Sequence, residues 1–331
     1  MRAVKLLPLL LAIPLALYGQ AWLSPKGDGV VTLLYQNDIE RLHAFGDGRT
    51  KDRGHTYLDG LYFDTDFSFT DKLAVRVSLP FIDGKYVGPY PHLLVRGQPS
   101  TEVTLDDGKF HGGFQDFRVN VRYALSQHAL KIAPFFQFTR PTNDYPTLGH
   151  AAIGFNETEY RLGVNVGRRL NPILSKAFVQ AQYAFGFSPV VAGNIAPKRS
   201  YGELQLGYLL NRRISFQGSS VLIYTHNGIN FDYNLFPNNL TDEEYLNHDR
   251  IARGKLLDAS GSMAYQLNRS TNLFFSVGHS FYGTNGHLRY VVSTVGFSKA
   301  FTTKMSAEKT SVLATLPEAN KAMTCTCAKT K

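Results

Sequence analysis

Cysteine is almost missing from this chain of 331 residues: only Cys325 and Cys327 occur, both within the last seven positions. A core stapled by disulfides is excluded, and a C-x-C pair alone lacks the four-ligand pattern of a structural zinc site. Charge is sparse as well, with 18% Asp, Glu, Lys and Arg against about a quarter in soluble chains. Beyond residue 21 no apolar run approaches the roughly 20 residues of a membrane helix, which leaves a soluble domain or a closed barrel. Hydrolase signatures are missing too. There is no G-x-S-x-G elbow and no H-E-x-x-H, and none of the ten histidines is followed two residues later by serine, the spacing found in twelve-strand barrel phospholipases. No catalytic residue, metal site or cofactor is expected.

What is present begins with an export signal. Arg2 and Lys5 precede an apolar run over residues 6–17, broken by Pro8 and Pro14, and Gly19-Gln20-Ala21 supplies small residues for a signal peptidase. The run is too short to span a bilayer, so residues 1–21 are expected to be cleaved and the mature chain to start at Trp22. Cleavage removes two basic residues and no acid, taking the net charge from +9 to +7. Lys and Arg are scattered among acids, which argues against a nucleic-acid face and fits attraction to anionic lipopolysaccharide. With 23 Phe and 18 Tyr beside one Trp, the composition favours strands.

Strand patterning separates the two remaining architectures. In a barrel wall, lipid-facing and lumen-facing residues alternate. Leu61, Phe63, Phe67 and Phe69 share one phase while Gly60, Tyr62, Asp64, Asp66 and Ser68 share the other. After Thr70-Asp71-Lys72, Leu73, Val75, Val77 and Leu79 alternate with Arg76 and Ser78, which completes a hairpin. Phe117, Val119, Val121 and Tyr123 alternate with Asp116, Arg118, Asn120 and Arg122, four polar residues that a soluble sandwich would not bury. The phase persists through Glu159–Gly167, Val179–Phe187, Glu203–Tyr208, Lys255–Leu267 and Leu273–Phe281. With a first strand over roughly 28–43, further strands over 132–139 and 213–225 and a last over 286–301, twelve are counted.

The even count returns both ends to the periplasm. Connections after the even-numbered strands are short, as at Thr70-Asp71-Lys72 and Asn211-Arg212, whereas residues 82–112, 142–154, 188–198 and 226–252 form longer loops rich in Gly, Pro, Asn and Tyr. Tight periplasmic turns and long outer loops have this asymmetry. Gly283–Gly286 is the exception, a tight outer hairpin. The expected fold is all-β, a transmembrane antiparallel up-and-down barrel of about twelve strands spanning residues 22–301 in the bacterial outer membrane. Residues 302–331 are expected to be a disordered periplasmic tail.

The lumen phase carries Asp64, Asp66, Asp116, Glu159, Glu203 and Asp258 against Arg76, Arg118, Arg122 and Arg161. Charges in a narrow lumen must be paired or wet, so Arg–carboxylate networks are expected. They read either as the lining of a polar passage or as salt bridges closing a structural barrel. Gly60, Gly163, Gly167, Gly186 and Gly207 take side chains off the same phase, leaving room for passage or relieving wall curvature. In the loops, Tyr86, Tyr90, His92, Tyr145, His150, Tyr233, Phe236 and Tyr245 read as an aromatic capture surface or as interfacial girdle. Asp242-Glu243-Glu244 with His248 and Asp249 reads as a divalent-cation site or a solvated loop.

Gly296, Phe297 and Phe301, in Thr294–Phe301, resemble the C-terminal insertion signal read by the outer-membrane barrel assembly machinery, with Lys299 where an apolar residue is usual. The mature start Ala21-Trp22-Leu23-Ser24-Pro25-Lys26-Gly27-Asp28-Gly29, the Phe69–Val75 turn and strand followed by Leu79-Pro80-Phe81, and Gly113-Phe114-Gln115-Asp116 resemble a family of outer-membrane transporters associated with the meta-cleavage pathway of phenol degradation. The resemblance implies uptake of small hydrophobic or aromatic solutes. Besides that channel reading stand a closed structural or adhesive surface barrel and a barrel-embedded hydrolase.

Overall fold

The computed structural model describes residues 20–92, 94–95, 98–99 and 105–304. The signal segment up to residue 19, the tail beyond residue 304 and both cysteines lie outside them. Twelve strands close into one antiparallel barrel: β1 (Asp28–Ala44), β2 (Thr50–Ser68), β3 (Leu73–Val87), β4 (Asp116–Tyr123), β5 (Leu130–Pro141) and β6 (Glu159–Arg169) are followed by β7 (Ala177–Phe187), β8 (Lys198–Leu209), β9 (Ile214–Thr225), β10 (Lys255–Gln266), β11 (Thr271–Thr284) and β12 (Gly286–Thr302). Each pairs with its sequence neighbours, and β12 closes on β1 from Asp28 opposite Thr302 to Ala44 opposite Gly286. Among the described residues no strand of the barrel has an unpaired edge, as a strand in hydrocarbon requires.

The apolar phase faces outward. Phe63 is 47% and Phe185 38% exposed, and Leu61, Leu162, Leu204, Phe275 and Phe297 are exposed with them. Val75 and Val119 are half-buried in the same phase, and none of these belongs to a buried apolar cluster. Rings exposed to water at this density would be ruinous for a soluble protein; against acyl chains they are the lipid belt.

The strands run further than the alternation indicates at the long-loop end. Residues 82–87, expected in a loop, continue β3 and pair with β2 from Gly60 opposite Ile82 to His55 opposite Val87. Above the membrane the polarity inverts: Ile82 and Tyr86 are buried inward at 6% and 2% exposure, while Asp83 and Lys85 point to the other side. The outside is now water and the inside is filled by loops, so an apolar-out rule no longer applies.

The inner-phase glycines neither widen a passage nor merely relax the wall. A Cβ on Gly207 would stand 2.0 Å from the Phe178 ring, one on Gly163 2.5 Å from Phe135, one on Gly167 2.5 Å from Trp22 and one on Gly60 2.5 Å from Tyr62. At Gly186 the nearest atoms belong to Glu159, Tyr201 and Arg161, at 3.1–3.2 Å. Inward side chains lie over these glycines, so the rings fill the lumen wall and cover bare backbone. Gly296 plays the same part for Phe274, at 2.6 Å.

Candidate functional site

Three ionic networks occupy the lumen at successive heights. Nearest the short turns, Asp66 of β2 accepts from Arg76 at 3.1 Å and from Arg122, whose side chain is 3% exposed. Arg122 also donates to the Gln20 carbonyl at 3.3 Å. The segment before β1 enters the lumen here: the Ala21 N–H donates to Gln180 at 3.1 Å, and the ring of Trp22, the only tryptophan, meets Phe178 edge-on at 5.8 Å. Glu203 hydrogen-bonds Gln205, which in turn accepts from Gln180 at 3.2 Å. Asp64 stands in β2 opposite Ser78, with no ion pair among the described residues.

Midway, Arg289 of β12 bridges Asp38 of β1 at 3.0 Å and Asp258 of β10 at 2.9 Å, and the Ser280 hydroxyl donates to Asp258 at 2.6 Å. Higher still, Arg199 of β8 joins Glu157 at 3.0 Å and Glu159 at 3.4 Å. Tyr201 donates to Glu159 at 2.7 Å, and Arg161, bonded to Glu159, lies 3.6 Å over the Tyr201 ring. Burial pushes Glu157 above the ordinary carboxylate range, with Arg199 pulling the other way. Asp116 accepts from Tyr145 at 2.5 Å, and Arg118 donates to Gln115 at 3.1 Å. The middle and upper groups border a cavity of about 600 Å³ lined by Asp38, Asp116, Arg118, Glu159, Arg161 and Arg289, among others.

Of the ten lumen residues expected from alternation, Asp66, Arg76 and Arg122 thus meet in one network, Glu159 and Arg161 in another and Asp258 in the third. Asp38, Glu157, Arg199 and Arg289, which are not among the residues expected from alternation, complete these networks. Asp38 lies in the inner phase of β1, whose alternation is weaker than that of the other strands' lipid-facing runs because Gln36, Asn37 and Asp38 are polar in succession. Arg289 was hidden by a bulge: Val291 pairs with Ile39 but Arg289 with Glu40, so Tyr290 is extra and the phase flips.

The loops fold inward over the mouth. Tyr145 and Ile153 pack with Ile82, Leu105 and Ala151 with Tyr86, and Phe231 and Ala252 with Phe45. Asn285, at φ 51° in the last hairpin, accepts from the Phe231 N–H at 2.8 Å and donates to the Arg253 carbonyl at 3.0 Å, tying the long 226–254 loop down. Tyr86, Tyr145, His150 and Tyr245 are buried in this cap, while Tyr90 and Tyr233 stay exposed. Burial, reinforced by His287 and His92, holds His150 well below the ordinary histidine value. Asp242, Glu243 and Glu244 form the first turn of α1 (Asp242–Leu246), where Thr241 and Glu244 cap each other. That run is a helix start, while His248 and Asp249 sit apart in α2 (His248–Ile251).

On the outward face, Ser200 and His226 approach to 2.8 Å, with the Tyr183 hydroxyl 3.0 Å from Ser200. Among the described residues no carboxylate or amide meets the other ring nitrogen of His226, so the orienting group of a hydrolytic triad is missing. At the end of β12, Phe297 is exposed and Phe301 stacks on Phe67 at 6.1 Å.

No family model and no curated protein matches the chain. Among solved structures, the chain is similar to the COG4313 outer membrane channel from Pseudomonas putida F1, with 13% identity over 86% of this chain and 98% of that one and a TM-score of 0.63. The translocator domain of the autotransporter NalP from Neisseria meningitidis (11%, 84% and 90%, TM-score 0.49) and the CymD monoaromatic hydrocarbon channel (11%, 85% and 90%, TM-score 0.43) are more distant. What the chain shares with the first of these is the fold, a closed antiparallel β-barrel.

Proposed function

We propose that the chain is a passive outer-membrane channel for small solutes, entered through the folded-in loops and left past the segment around Trp22. The observation that carries this reading is the polar cavity of about 600 Å³ held between paired charges: a barrel needing only stability would fill that volume with apolar side chains. Asp64, Asp66, Arg76, Asp116, Arg118, Arg122, Glu159, Arg161, Glu203 and Asp258 line the path. The aromatic cap above it, and the resemblance to the family associated with phenol degradation, favour aromatic solutes carrying polar groups. Residues 1–21 are removed on export, so the Gln20 and Ala21 contacts with Arg122 and Gln180 belong to the precursor and Trp22 begins the mature chain; Gly296, Phe297 and Phe301 engage the assembly machinery, and the basic excess faces lipopolysaccharide. In planar bilayers the refolded barrel gives discrete currents, and Arg118→Ala changes their ion preference.

The closure at both ends supports a second reading, a sealed structural or adhesive barrel. A well-folded barrel that stays silent in bilayers and does not swell proteoliposomes in small phenolic solutes decides for it.

A further inference from the structure

Five of the ten histidines, far apart in sequence, converge beneath the mouth. Ring centroids lie 5.0 Å apart for His43 and His287, 5.0 Å for His287 and His150, 4.4 Å for His150 and His92, and 5.5 Å for His92 and His248. They come from the end of β1, the start of β12 and three outer loops. His43 and His287 are register partners across the β1–β12 seam. Both reach the lumen face because Arg41 and Tyr290 bulge out of the ladder just below them.

Two sets of three residues bring one ligand atom each to within 4.8 Å of the others: His43, Asp249 and His287, and His92, Asp106 and His150. The second set is already satisfied. Asp106 accepts from the backbone N–H groups of His92 at 2.9 Å, His150 at 3.1 Å and Ala151 at 3.0 Å, and from the His92 ring at 2.9 Å. His150 bonds the Tyr90 carbonyl at 3.1 Å. That carboxylate organises two loops.

The first set is not satisfied. His43 is 3% exposed, yet neither ring nitrogen has a hydrogen-bond partner, a costly state that folded proteins seldom keep without a use. The nearest carboxylate to His287, Glu40, stands 3.8 Å from Nδ1, beyond hydrogen-bond length. Asp249 offers an oxygen 3.4 Å from His248, whose other nitrogen is fixed by the Tyr245 carbonyl at 2.7 Å. Fixed outer partners of this kind orient ligands at metal centres. Asp249 and His287 also line the lumen cavity, so an ion can reach them.

We propose that His43, His287 and Asp249 bind a divalent transition-metal ion of the zinc class, which pins the 226–254 loop to the β1–β12 seam. Two imidazoles and one carboxylate suit zinc, copper(II) or nickel(II), whereas calcium and magnesium take oxygen ligands alone. Drawing the ligand atoms from at most 4.8 Å to the ~3.4 Å edge of a tetrahedral zinc site takes side-chain movement of no more than about an ångström. Alternation could not reveal the site, because His43 lies more than 200 residues from Asp249 and His287 in sequence and both histidines lie near bulges.

The test uses the full untagged barrel, refolded in detergent and stripped of metal. Titration with ZnCl₂ against a chromophoric chelator should show one saturable equivalent, and CoCl₂ should give visible absorption of a nitrogen and oxygen ligand set. His43→Gln, His287→Asn and Asp249→Asn should each weaken binding at least about 100-fold, while His279→Asn, on the outer wall, leaves it unchanged. Heat-modified gel migration confirms that each variant is folded. Should a variant fail to fold, the cobalt spectrum of the parent decides. Absence of saturable binding by the parent, or undiminished binding in a folded His43→Gln variant, overturns the site.

Discussion

Arg289 is the residue at which a charge change should speak most directly about passage. Its side chain is 37% exposed to the lumen and bridges two carboxylates, at 3.0 Å to Asp38 and 2.9 Å to Asp258. Arg289→Met keeps the bulk and removes one positive charge. For an ion passing about 5 Å away in water, one unit charge is worth ~0.8 kcal/mol. Screening at 0.1 M salt leaves ~0.5 kcal/mol, and at 1 M ~0.2 kcal/mol. A cation gains this amount and an anion loses it, so the cation-to-anion permeability ratio should rise about fivefold at 0.1 M and less than about twofold at 1 M.

The assay is the reversal potential of single barrels in a KCl gradient at pH 8.5, at both ionic strengths. Arg289→Met also strands Asp38, which is 3% exposed, at a cost of about 3–5 kcal/mol, so the melting point should fall too. The Asp38→Asn, Arg289→Met double variant removes both charges and should recover much of the stability and the parental ratio. A conducting, folded Arg289→Met barrel with an unaltered ratio would refute the placement of Arg289 on the ion path.

Four further outcomes follow from the same structure. Val277 is outward and 42% exposed near the middle of β11, so Val277→Arg should cost about 2–4 kcal/mol in urea titrations of the barrel in lipid, while Ser276→Arg, on the lumen side, should not show this lipid penalty. Gly207→Ala should lose about 1–3 kcal/mol against the Phe178 ring, with most of it restored by Phe178→Leu in the same chain; a neutral Gly207→Ala would contradict the ring-over-glycine wall. Arg199→Met should cost about 3–5 kcal/mol by stranding Glu157, since Glu159 keeps Arg161 and Tyr201. Glu157→Gln should be mild. Because the folded state raises the Glu157 value, the native chain holds more protons than the unfolded one, and its stability from this group falls as pH rises through the ordinary Glu range. Glu157→Gln should remove that slope, which denaturant titrations from pH 4 to 7 can read.

Within the bilayer the wall was legible because a single rule acts on every residue there. A side chain such as Phe63 or Phe185 meets hydrocarbon and its neighbour meets the lumen, so the phase locates most of the strands, while those over 28–43 and 213–225 are placed by their bounds. The tight Gly283–Gly286 hairpin was equally readable and appears with Asn285 as its single turn residue. The rule stops where the lipid stops. Residues 82–87 keep the strand ladder while exchanging polarity, with Tyr86 now under the cap and Lys85 outside, and so they read as loop.

The site was less legible than the wall for two physical reasons. One is that each bulge moves every later residue to the opposite face: beyond Tyr290 the odd-numbered positions His287 and Arg289 turn inward, although odd numbers face lipid from Val291 to Phe301. A bulge has no composition of its own here, since Arg41 and Tyr290 are ordinary strand residues. It shows only in its outcome, including the His279 ring that hydrogen-bonds the displaced Tyr290 carbonyl at 2.7 Å. The other reason is that the cap is assembled from loops whose meeting depends on closure of the β1–β12 seam, a contact between residues about 250 positions apart. Inward polarity can therefore be inferred strand by strand, but which charge meets which, and which histidines meet at all, is decided by the ring as a whole. The groups left unsatisfied by that closure, His43 above all, mark where chemistry beyond the wall is to be sought.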